Sequence, residues 1–307
     1  MKRKNKKIIR SLSNSGVDFE IISSLPIIRV NSRNHVDYIV GDSFPFNSFS
    51  NVKVTIDKHL TKKILNKAGI KTSKGFLVLS YKEFLEKEKI KFPLVAKPNN
   101  ESCGECVFTN LSTNKELRMA ISSLKKQNHI PFLIEEYFKG DDFRFLVLKG
   151  KVIAIAKRIP PFVVGDGKKT LKRLIGVLNK GKDKDKKLKI DEETLRNIKK
   201  QKVFLSSVIE KEKIVRLREN ANVKTGGLSQ DVTDKVHPKF KEIAIRAARE
   251  LGLNFAGVDI LAKDITKGNS SYVLIEVNGL PGWEFHEMVD IGERREIAKE
   301  IIKEIHY

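Results

Sequence analysis

The chain has 307 residues, of which 40% are hydrophobic, 7% are aromatic and 32% are charged. This hydrophobic fraction can form a core and excludes wholesale disorder, and a prior of about 150 residues per domain predicts two domains. The longest apolar runs, such as Phe145–Leu148, have the length of a strand, well below the ~18 residues of a membrane helix. No apolar segment follows the basic N-terminus as a signal peptide would require, and two cysteines cannot form a disulfide framework. We therefore expect a cytoplasmic protein without a membrane partner.

The charge is strongly positive, with a formal net charge of +22 at pH 7. It comes from 45 lysines and 15 arginines, which are scattered along the whole chain. Proteins that read nucleic acids usually concentrate charge on one face and use arginine for bidentate contacts. The distribution therefore favours a solvated, lysine-rich surface over a nucleic-acid partner. Attraction of anionic substrates, of a nucleic acid or of a membrane surface remains an alternative.

The first half of the chain is predicted to alternate between strands and helices. Short strands are expected at Val17–Ile22, Leu25–Val30 and Val36–Val40. Asp57 has the position of an N-cap for a helix that ends at Gly69. Further on, the predicted elements are Phe76–Leu79 (strand), Ser80–Lys87 (helix), Phe92–Lys97 and Val107–Thr109 (strands), Ser112–Lys126 (helix) and Phe132–Tyr137 (strand). This alternation over residues 70–137 predicts one compact α+β unit.

The second half opens with a predicted hairpin, in which Lys149-Gly150 turns between the strands Phe143–Leu148 and Lys151–Ala156. The lysine-rich run 180–189 is expected to be a solvated loop. The remaining predicted elements are the helix Pro238–Leu251, the paired strands Ala256–Ala262 and Tyr272–Val277, and the closing helix Arg294–Ile305.

Two carboxylates and an amide lie in neighbouring predicted strands near the C-terminus. Alternation along a strand puts Glu276 and Asn278 on the same face. If the strand that holds Asp259 pairs alongside, all three oxygen-bearing side chains converge. Such a set suits Mg²⁺ that is shared with substrate phosphates, because burying two carboxylates without a cation is costly. The alternative is ordinary polar residues at strand ends.

Lysines at two places could bind phosphate. Lys97 closes an apolar strand and precedes a polar loop with one glycine, Gly104, whose amides could cap a phosphate. Lys58 lies just inside its predicted helix, and for each lysine alone a structural role is an equal alternative. The segment Glu135–Asp142 joins two predicted units, where backbone groups could bond adenine and Asp142 could accept ribose hydroxyls.

Taken in this order, the motifs resemble an ATP-grasp carboxylate–amine ligase over residues 52–290. The sequence looks most like the ligase module of cyanophycin synthetases and of bifunctional glutathione synthetases. The similar blocks are Asp142-Phe-Arg144, Lys157-Arg158-Ile-Pro-Pro, Gly165-Asp166-Gly167, Arg218-Glu-Asn220-Ala-Asn222, Thr225-Gly226-Gly227, Asp231-Val-Thr-Asp234-Lys-Val-His237-Pro and Asn278-Gly-Leu-Pro281-Gly282.

This resemblance implies an α+β ATP-grasp fold, in which two α+β lobes bind ATP between them after a short N-terminal α/β segment. The implied division is an N-terminal segment 1–55, a first lobe with the phosphate loop 56–137, and a second lobe with the metal site and the acceptor segment 138–307. The implied reaction phosphorylates a substrate carboxylate from ATP, and an amine then attacks the acyl phosphate to give an amide, ADP and phosphate. The implied cofactors are ATP and one or two Mg²⁺, for which Mn²⁺ can substitute, and a homodimer is a family-level expectation.

The resemblance also implies a role for each candidate residue. ATP would be bound by Lys58, Lys97, Gly104, Glu135, Glu136, Tyr137, Phe138 and Asp142. The metal ligands would be Asp259, Glu276 and Asn278. Fixed positive charge for the transferred phosphoryl and acyl oxygens would come from Arg144, Lys157 and Arg158, with Arg218 on the acceptor side. The substrate would contact Asn220, Asn222, Gly226, Gly227 and His286.

The sequence departs from the family pattern in the phosphate loop. Cys106 stands where the family usually has a second glycine, and it forms a Cys-x-x-Cys pair with Cys103. We expect a substitute for glycine there, with a redox switch or a metal site as the alternative. Two other functions stay open for the whole chain: addition of amino acids to a protein tail, or a degenerate nucleotide-binding protein with a nucleic-acid partner.

Overall fold

A computed structural model describes residues 3–22, 27–31, 36–87, 90–100, 106–181, 187–219, 221 and 226–306. The helices of these residues are α1 (Arg3–Asn14), α2 (Phe49–Ile56), α3 (Lys58–Lys67), α4 (Tyr81–Glu86), α5 (Asn114–Lys126), α6 (Leu171–Asn179), α7 (Glu192–Lys200), α8 (Pro238–Glu250) and α9 (Ile297–His306). The strands are β1 (Asp18–Ile21), β2 (Ile27–Asn31), β3 (Val36–Val40), β4 (Gly75–Val78), β5 (Leu94–Pro98), β6 (Phe108–Leu111), β7 (Phe132–Glu136), β8 (Asp141–Leu148), β9 (Lys151–Ile159), β10 (Phe162–Val164), β11 (Ile214–Arg216), β12 (Leu228–Asp231), β13 (Phe255–Ala262) and β14 (Tyr272–Asn278). The predicted α+β class is confirmed. No helix in the described ranges is long and apolar enough to span a bilayer.

The chain divides into two compact units that alternate along the sequence. Unit 1 consists of Met1–Thr72, Phe143–Lys157 and Gln230–Tyr307, and unit 2 consists of Ser73–Asp142 and Arg158–Ser229. The chain passes from one unit to the other after Thr72 and within β8, β9 and β12.

Unit 1 is built on a five-stranded sheet with the order β12-β9-β8-β13-β14. The apolar face of α8 contributes Phe240, Ala244 and Ala247 to the core of this sheet. A second core packs α1 and α9 with the three-stranded sheet β1-β2-β3. The predicted hairpin is confirmed: Lys149 and Gly150 both have positive φ, at 42° and 75°, as a two-residue turn between β8 and β9 requires.

Unit 2 contains a four-stranded sheet with the order β4-β7-β5-β6, and α5 buries Leu117, Ala120, Ile121 and Leu124 in its core as predicted. A smaller core surrounds α6, α7 and the two-stranded sheet β10-β11. The lysine-rich run 180–189 is not wholly solvated, because Leu188 is buried in this smaller core and exchanges two hydrogen bonds with the Asn179 side chain.

The predicted cap of α3 is confirmed, and two further side chains cap helices. Asp57 accepts a hydrogen bond from the backbone N–H of Leu60 at the start of α3, and Ser80 accepts one from Glu83 at the start of α4. The His237 side chain caps α8 by accepting from the N–H of Lys239. The helices α1, α2, α6 and α7 and the strands β10, β11 and β12 are additions that the sequence did not predict.

Candidate functional site

The strands β13 and β14 bring together the three candidate metal ligands in unit 1. They pair in antiparallel fashion with Asp259 opposite Glu276 and Gly257 opposite Asn278. Directly opposed side chains lie about 4.5–5.5 Å apart at Cβ, and alternation puts Asn278 on the face of Glu276. Asp259 is buried, with an exposed fraction of 1%, whereas Glu276 and Asn278 are half-buried. The predicted pairing of the two strands is therefore confirmed, and its register puts the three side chains on one face of the sheet.

Arg144 lies on the neighbouring strand β8 and contacts both oxygens of Asp259. Its Nη2 donates to Asp259 Oδ2 at 2.7 Å, and its Nε donates to Oδ1. A side chain at position 257 would displace the arginine, because a Cβ there would lie 3.0 Å from Arg144 Nη1 and 3.0 Å from Pro281 Cβ. Gly257 thus leaves room for the Arg144 guanidinium, whose positive charge compensates the buried Asp259 carboxylate.

The donor set fits a hard divalent cation. It offers two carboxylates and one amide oxygen, and the more buried carboxylate already has its orientation fixed by a bidentate arginine. Throughout the described ranges, no group of three or more His, Cys, Asp or Glu side chains lies close enough to hold a metal ion. Asn278 adds a neutral amide oxygen on the face of the sheet that Glu276 occupies.

Lys97, the candidate phosphate ligand of unit 2, forms a buried ion pair with Glu135. The Lys97 Nζ lies 2.8 Å from Glu135 Oε2, and the two residues have exposed fractions of 8% and 2%. The strands β5 and β7 place Glu135 opposite Val95, so Lys97 is its diagonal neighbour on the same face. On the other side Glu135 lies opposite Gly75, where a Cβ would come within 2.4 Å of the Ile134 carbonyl. Sequence analysis assigned Glu135 to the adenine segment and missed this pairing.

The segment after β7 contains the remaining ATP-binding candidates. Glu136 accepts from the N–H of Lys91 at 3.3 Å, and the N–H of Tyr137 donates to the Pro93 carbonyl at 2.9 Å. Burial, reinforced by the Glu219 carboxylate, raises the pKa of Tyr137 to about 12, so its hydroxyl stays protonated. Phe138 is half-buried beside them.

Asp142 and Arg158, which the sequence assigned to ribose and to catalysis, contact each other in unit 2. Arg158 donates to Asp142 Oδ1 through Nε at 3.0 Å and through Nη2 at 2.7 Å. Lys157, one residue earlier and in unit 1, is half-buried. Asp142 therefore fixes the arginine that was expected to face the transferred phosphoryl group.

Arg218, expected on the acceptor side, is buried against the start of α7. Its Nη1 donates to Glu193 Oε2 at 2.7 Å and its Nη2 donates to Asp191, while its exposed fraction is 5%. Burial raises the pKa of Glu193 to about 7, against the opposing effect of Arg218 and with a further upward contribution from Asp191. Arg218 thus joins the acceptor-side segment to a helix that sequence analysis did not predict.

The remaining candidates are two buried side chains, two glycines and three residues outside the described part of the chain. Lys58 is buried in the first turn of α3, and His286 is 1% exposed with its ring 4.1 Å from that of Phe285. Gly226 has a φ of +94°, a conformation that favours glycine, and Gly227 is buried beside it. Gly104, Asn220 and Asn222 lie outside the residues that the structure describes.

Cys106 adopts a backbone conformation typical of glycine. Its φ is +62°, in the left-handed region, and its thiol donates to Gln127 Oε1 at 2.9 Å. This geometry supports the interpretation of Cys106 as a residue at a glycine position. Cys103, the other member of the predicted pair, lies outside the described residues.

Comparisons with known proteins agree with these motifs. A family model described as a RimK-like ATP-grasp domain matches residues 55–172 and 208–305. The cyanophycin synthetase of Crocosphaera subtropica is 32% identical over 263 residues, which cover 82% of this chain and 30% of that protein. The glutathione biosynthesis bifunctional protein of Listeria innocua is 33% identical over 291 residues, which cover 90% of this chain and 37% of that protein. The chain thus spans about a third of the length of these curated relatives.

A crystal structure of a bifunctional glutathione synthetase from Pasteurella multocida is similar to the whole chain. The TM-score is 0.70 at 24% sequence identity, and the match covers 99% of this chain and 44% of that one. At this identity the likeness shows the fold. The ATP-grasp fold expected from the sequence is therefore confirmed.

Proposed function

The chain belongs to the RimK-like ATP-grasp family, and on that premise we propose that it is an ATP-dependent ligase of the ADP-forming, carbon–nitrogen class. It joins the carboxylate of an amino acid or peptide to an amine through an acyl phosphate and releases ADP and phosphate. The observation that carries this proposal is the register of β13 and β14, which sets Asp259 opposite Glu276 with Asn278 on the same face.

In this proposal Asp259, Glu276 and Asn278 hold one or two Mg²⁺, for which Mn²⁺ can substitute. The metal, when bound, neutralises the phosphate oxygens of ATP as charge shifts during phosphoryl transfer. Arg144 keeps both Asp259 oxygens in a fixed orientation from the side of β8. The buried position of Asp259 supports this assignment, because the arginine and a divalent cation together offset the cost of its desolvation.

Binding of the ATP phosphates is assigned to Lys58, Lys97 and the loop around Gly104. Support for Lys97 comes from its buried partner Glu135, which holds the ammonium group in place and so reduces the entropy lost when a phosphate binds. Glu136, Tyr137 and Phe138 would line the adenine. These assignments follow the chain order of the family motifs.

Lys157 and Arg158 are assigned to neutralise the negative charge that develops on the phosphoryl and acyl oxygens. The double contact of Arg158 with Asp142 supports a preorganised guanidinium, which would act without reorganising during the reaction. Asp142 is proposed to contact the ribose hydroxyls as well as Arg158.

The acceptor side is assigned to Arg218, Asn220, Asn222, Gly226, Gly227 and His286. For Arg218 the contacts with Asp191 and Glu193 favour an indirect role, in which the arginine shapes the segment that follows it. The substrates are proposed to be amino acids or peptides, with a protein tail as a further acceptor class. A degenerate nucleotide-binding protein is the second candidate, and the intact set Asp259, Glu276 and Asn278 speaks against it.

A cytoplasmic location and a homodimer stay predictions. The homodimer has one structural support, the edge strand β3. This strand exposes Val36, Tyr38 and Val40, and it contains no lysine that would deter pairing with another strand. Light scattering on the full chain gives the mass that checks it.

The test of the ligase proposal is ADP release from Mg-ATP with and without a pool of amino acids and dipeptides, with mass spectrometry of the products. Amino-acid-dependent ADP release with a new amide product is the expected result. Glu276→Gln, which removes a charged ligand but keeps its shape, should abolish turnover and leave the circular dichroism spectrum unchanged. Glu242→Gln, an equal change at an exposed position of α8, is the matched control. Full turnover by Glu276→Gln would refute the metal site, and ATP binding without any product would favour the degenerate protein.

A further inference from the structure

Asn47, in the segment before α2, uses the whole hydrogen-bonding capacity of its side chain on the strands that hold the candidate metal ligands. Its Nδ2 donates to the carbonyls of Phe255 at 2.6 Å and Gly279 at 2.8 Å. Its Oδ1 accepts from the N–H of Asn254 at 2.8 Å and of Phe255 at 3.0 Å. A primary amide has two N–H donors and two acceptor lone pairs, so all four are engaged.

These contacts lie at the end of the β13–β14 ladder. The last paired residues at this end are Gly257 and Asn278, and no further pair of the two strands follows in the described residues. Asn47 connects Phe255 of β13 to Gly279, the residue that follows β14. It therefore links the two strands beyond their last backbone pair. Gly279 directly follows Asn278, whereas Phe255 lies four residues before Asp259.

A second side chain, Thr55 of α2, binds the other backbone group of Gly279. Thr55 Oγ1 accepts from the N–H of Gly279 at 3.2 Å and donates to the Val52 carbonyl at 2.7 Å. The backbone of α2 approaches closely, because a Cβ on Gly279 would lie 3.1 Å from Val52 Cα. The N–H and C=O of the residue after Asn278 are thus both bound by side chains of residues 47–55.

We propose that Asn47 is a positioning residue for the metal site, with Thr55 as its supporting partner. Asn47 fixes Asn278 relative to Asp259 by tying the backbone after one ligand to the start of the strand that holds the other. Mg²⁺ requires near-octahedral geometry at ~2.0–2.1 Å, so a small displacement of one ligand weakens binding. The inference rests on the proposed function, because it assumes that Asn278 is a metal ligand.

The test uses Asn47→Asp, which keeps the acceptor oxygen for Asn254 and Phe255 but loses both N–H donors. The control is Asn51→Asp, an identical change in α2 at a side chain that donates only to the Gly252 carbonyl, at 2.7 Å. Mn²⁺ binding is measured directly by electron paramagnetic resonance in the presence of a non-hydrolysable ATP analogue. The unfolding temperature and the Mg²⁺ dependence of ADP release are measured in parallel.

We expect Asn47→Asp to raise the apparent Kd for Mn²⁺ about tenfold, the lower end of what loss of an outer-sphere contact costs. Asn51→Asp should leave the Kd within about twofold of wild type while lowering the unfolding temperature to a similar degree. Thr55→Val, which removes the acceptor for Gly279 but keeps the side-chain shape, should raise the Kd by a smaller factor and covers the case in which Asn47→Asp does not fold.

Two results would overturn the inference, and they differ. If Glu276→Gln abolishes Mn²⁺ binding while Asn47→Asp and Thr55→Val bind as wild type does, the metal site stands and the positioning role falls. If Glu276→Gln itself binds Mn²⁺ normally, the proposed metal site is wrong and the positioning role falls with it.

Discussion

Loss of the Glu193 proton should lower the stability of the protein as the pH rises from about 4.5 to about 7. Burial raises the pKa of this carboxyl from 4.5 to about 7 in the folded protein, and the nearby Asp191 and Glu219 add to the effect. The folded protein therefore holds a proton over a pH range in which the unfolded chain has released it. The stabilisation is fully present below pH 4.5 and is lost as the pH passes 7.

The magnitude follows from the size of that interval. At about 1.4 kcal/mol for each unit of pKa, the difference between 4.5 and about 7 corresponds to about 3 kcal/mol of unfolding free energy. The Glu193 side chain is 11% exposed, so solvent screening removes little of this value. Arg218 and Arg196 oppose the shift, and the desolvation of the carboxylate outweighs them.

The assay is urea unfolding followed by circular dichroism from pH 4 to 8, on wild type, Glu193→Gln and the control Glu192→Gln. Glu193→Gln cannot ionise, so its unfolding free energy should lack this component and gain on wild type by up to about 3 kcal/mol across the range. Glu192, the exposed neighbour on α7, should give a profile parallel to that of wild type. Parallel profiles for wild type and Glu193→Gln would refute the argument that burial dominates over Arg218.

The remaining predictions concern the candidate ATP-binding residues of unit 2. Lys97→Ala should weaken ATP binding. It should also lower the unfolding free energy by about 3–5 kcal/mol, because it leaves Glu135 buried without its ammonium partner. Adding Glu135→Gln should restore stability but not ATP affinity, and an affinity of Lys97→Ala equal to wild type by calorimetry would contradict the assignment. Cys106→Gly should keep ADP formation or increase it, since φ is already +62° and the loop gains freedom, and Cys103→Ser should be silent. A loss of wild-type activity on mild oxidation that a reductant reverses, and that both variants lack, would instead establish a redox switch.

The local order of the fold could be predicted because it depends on residues close in sequence. The strands β13 and β14 and the helix α5 have clear periodicities, and the caps Asp57 and Ser80 are short-range signals. By contrast, α7 reads Glu-Glu-Thr-Leu-Arg-Asn-Ile-Lys-Lys and buries only one apolar side chain, Ile198. The helix was not predicted because its buried face is largely polar, so the sequence lacks the apolar periodicity of an amphipathic helix.

The candidate metal ligands could be predicted, but their partners could not. Alternation in β14 was enough to put Glu276 and Asn278 on one face. The pairing of Arg144 with Asp259 spans 115 residues and depends on β8 lying beside β13. The strand order follows from packing of the whole unit, so the contact with Asp259 was not predicted and Arg144 was assigned only to the transferred phosphoryl and acyl oxygens. Asn47 was missed for the same reason, since its contacts lie more than 200 residues away.

The alternation of the two units along the chain sets the order in which each unit can be completed during synthesis. All segments of unit 2 have left the ribosome once residue 229 has emerged, whereas unit 1 still lacks Gln230–Tyr307. The three candidate metal ligands are in that last segment, and the core around α1 is completed only when Ile301 and Ile302 of α9 have been made. A nascent chain therefore holds every residue assigned to adenine before it holds any candidate metal ligand, and we expect these two groups of residues to fold at separate stages of translation.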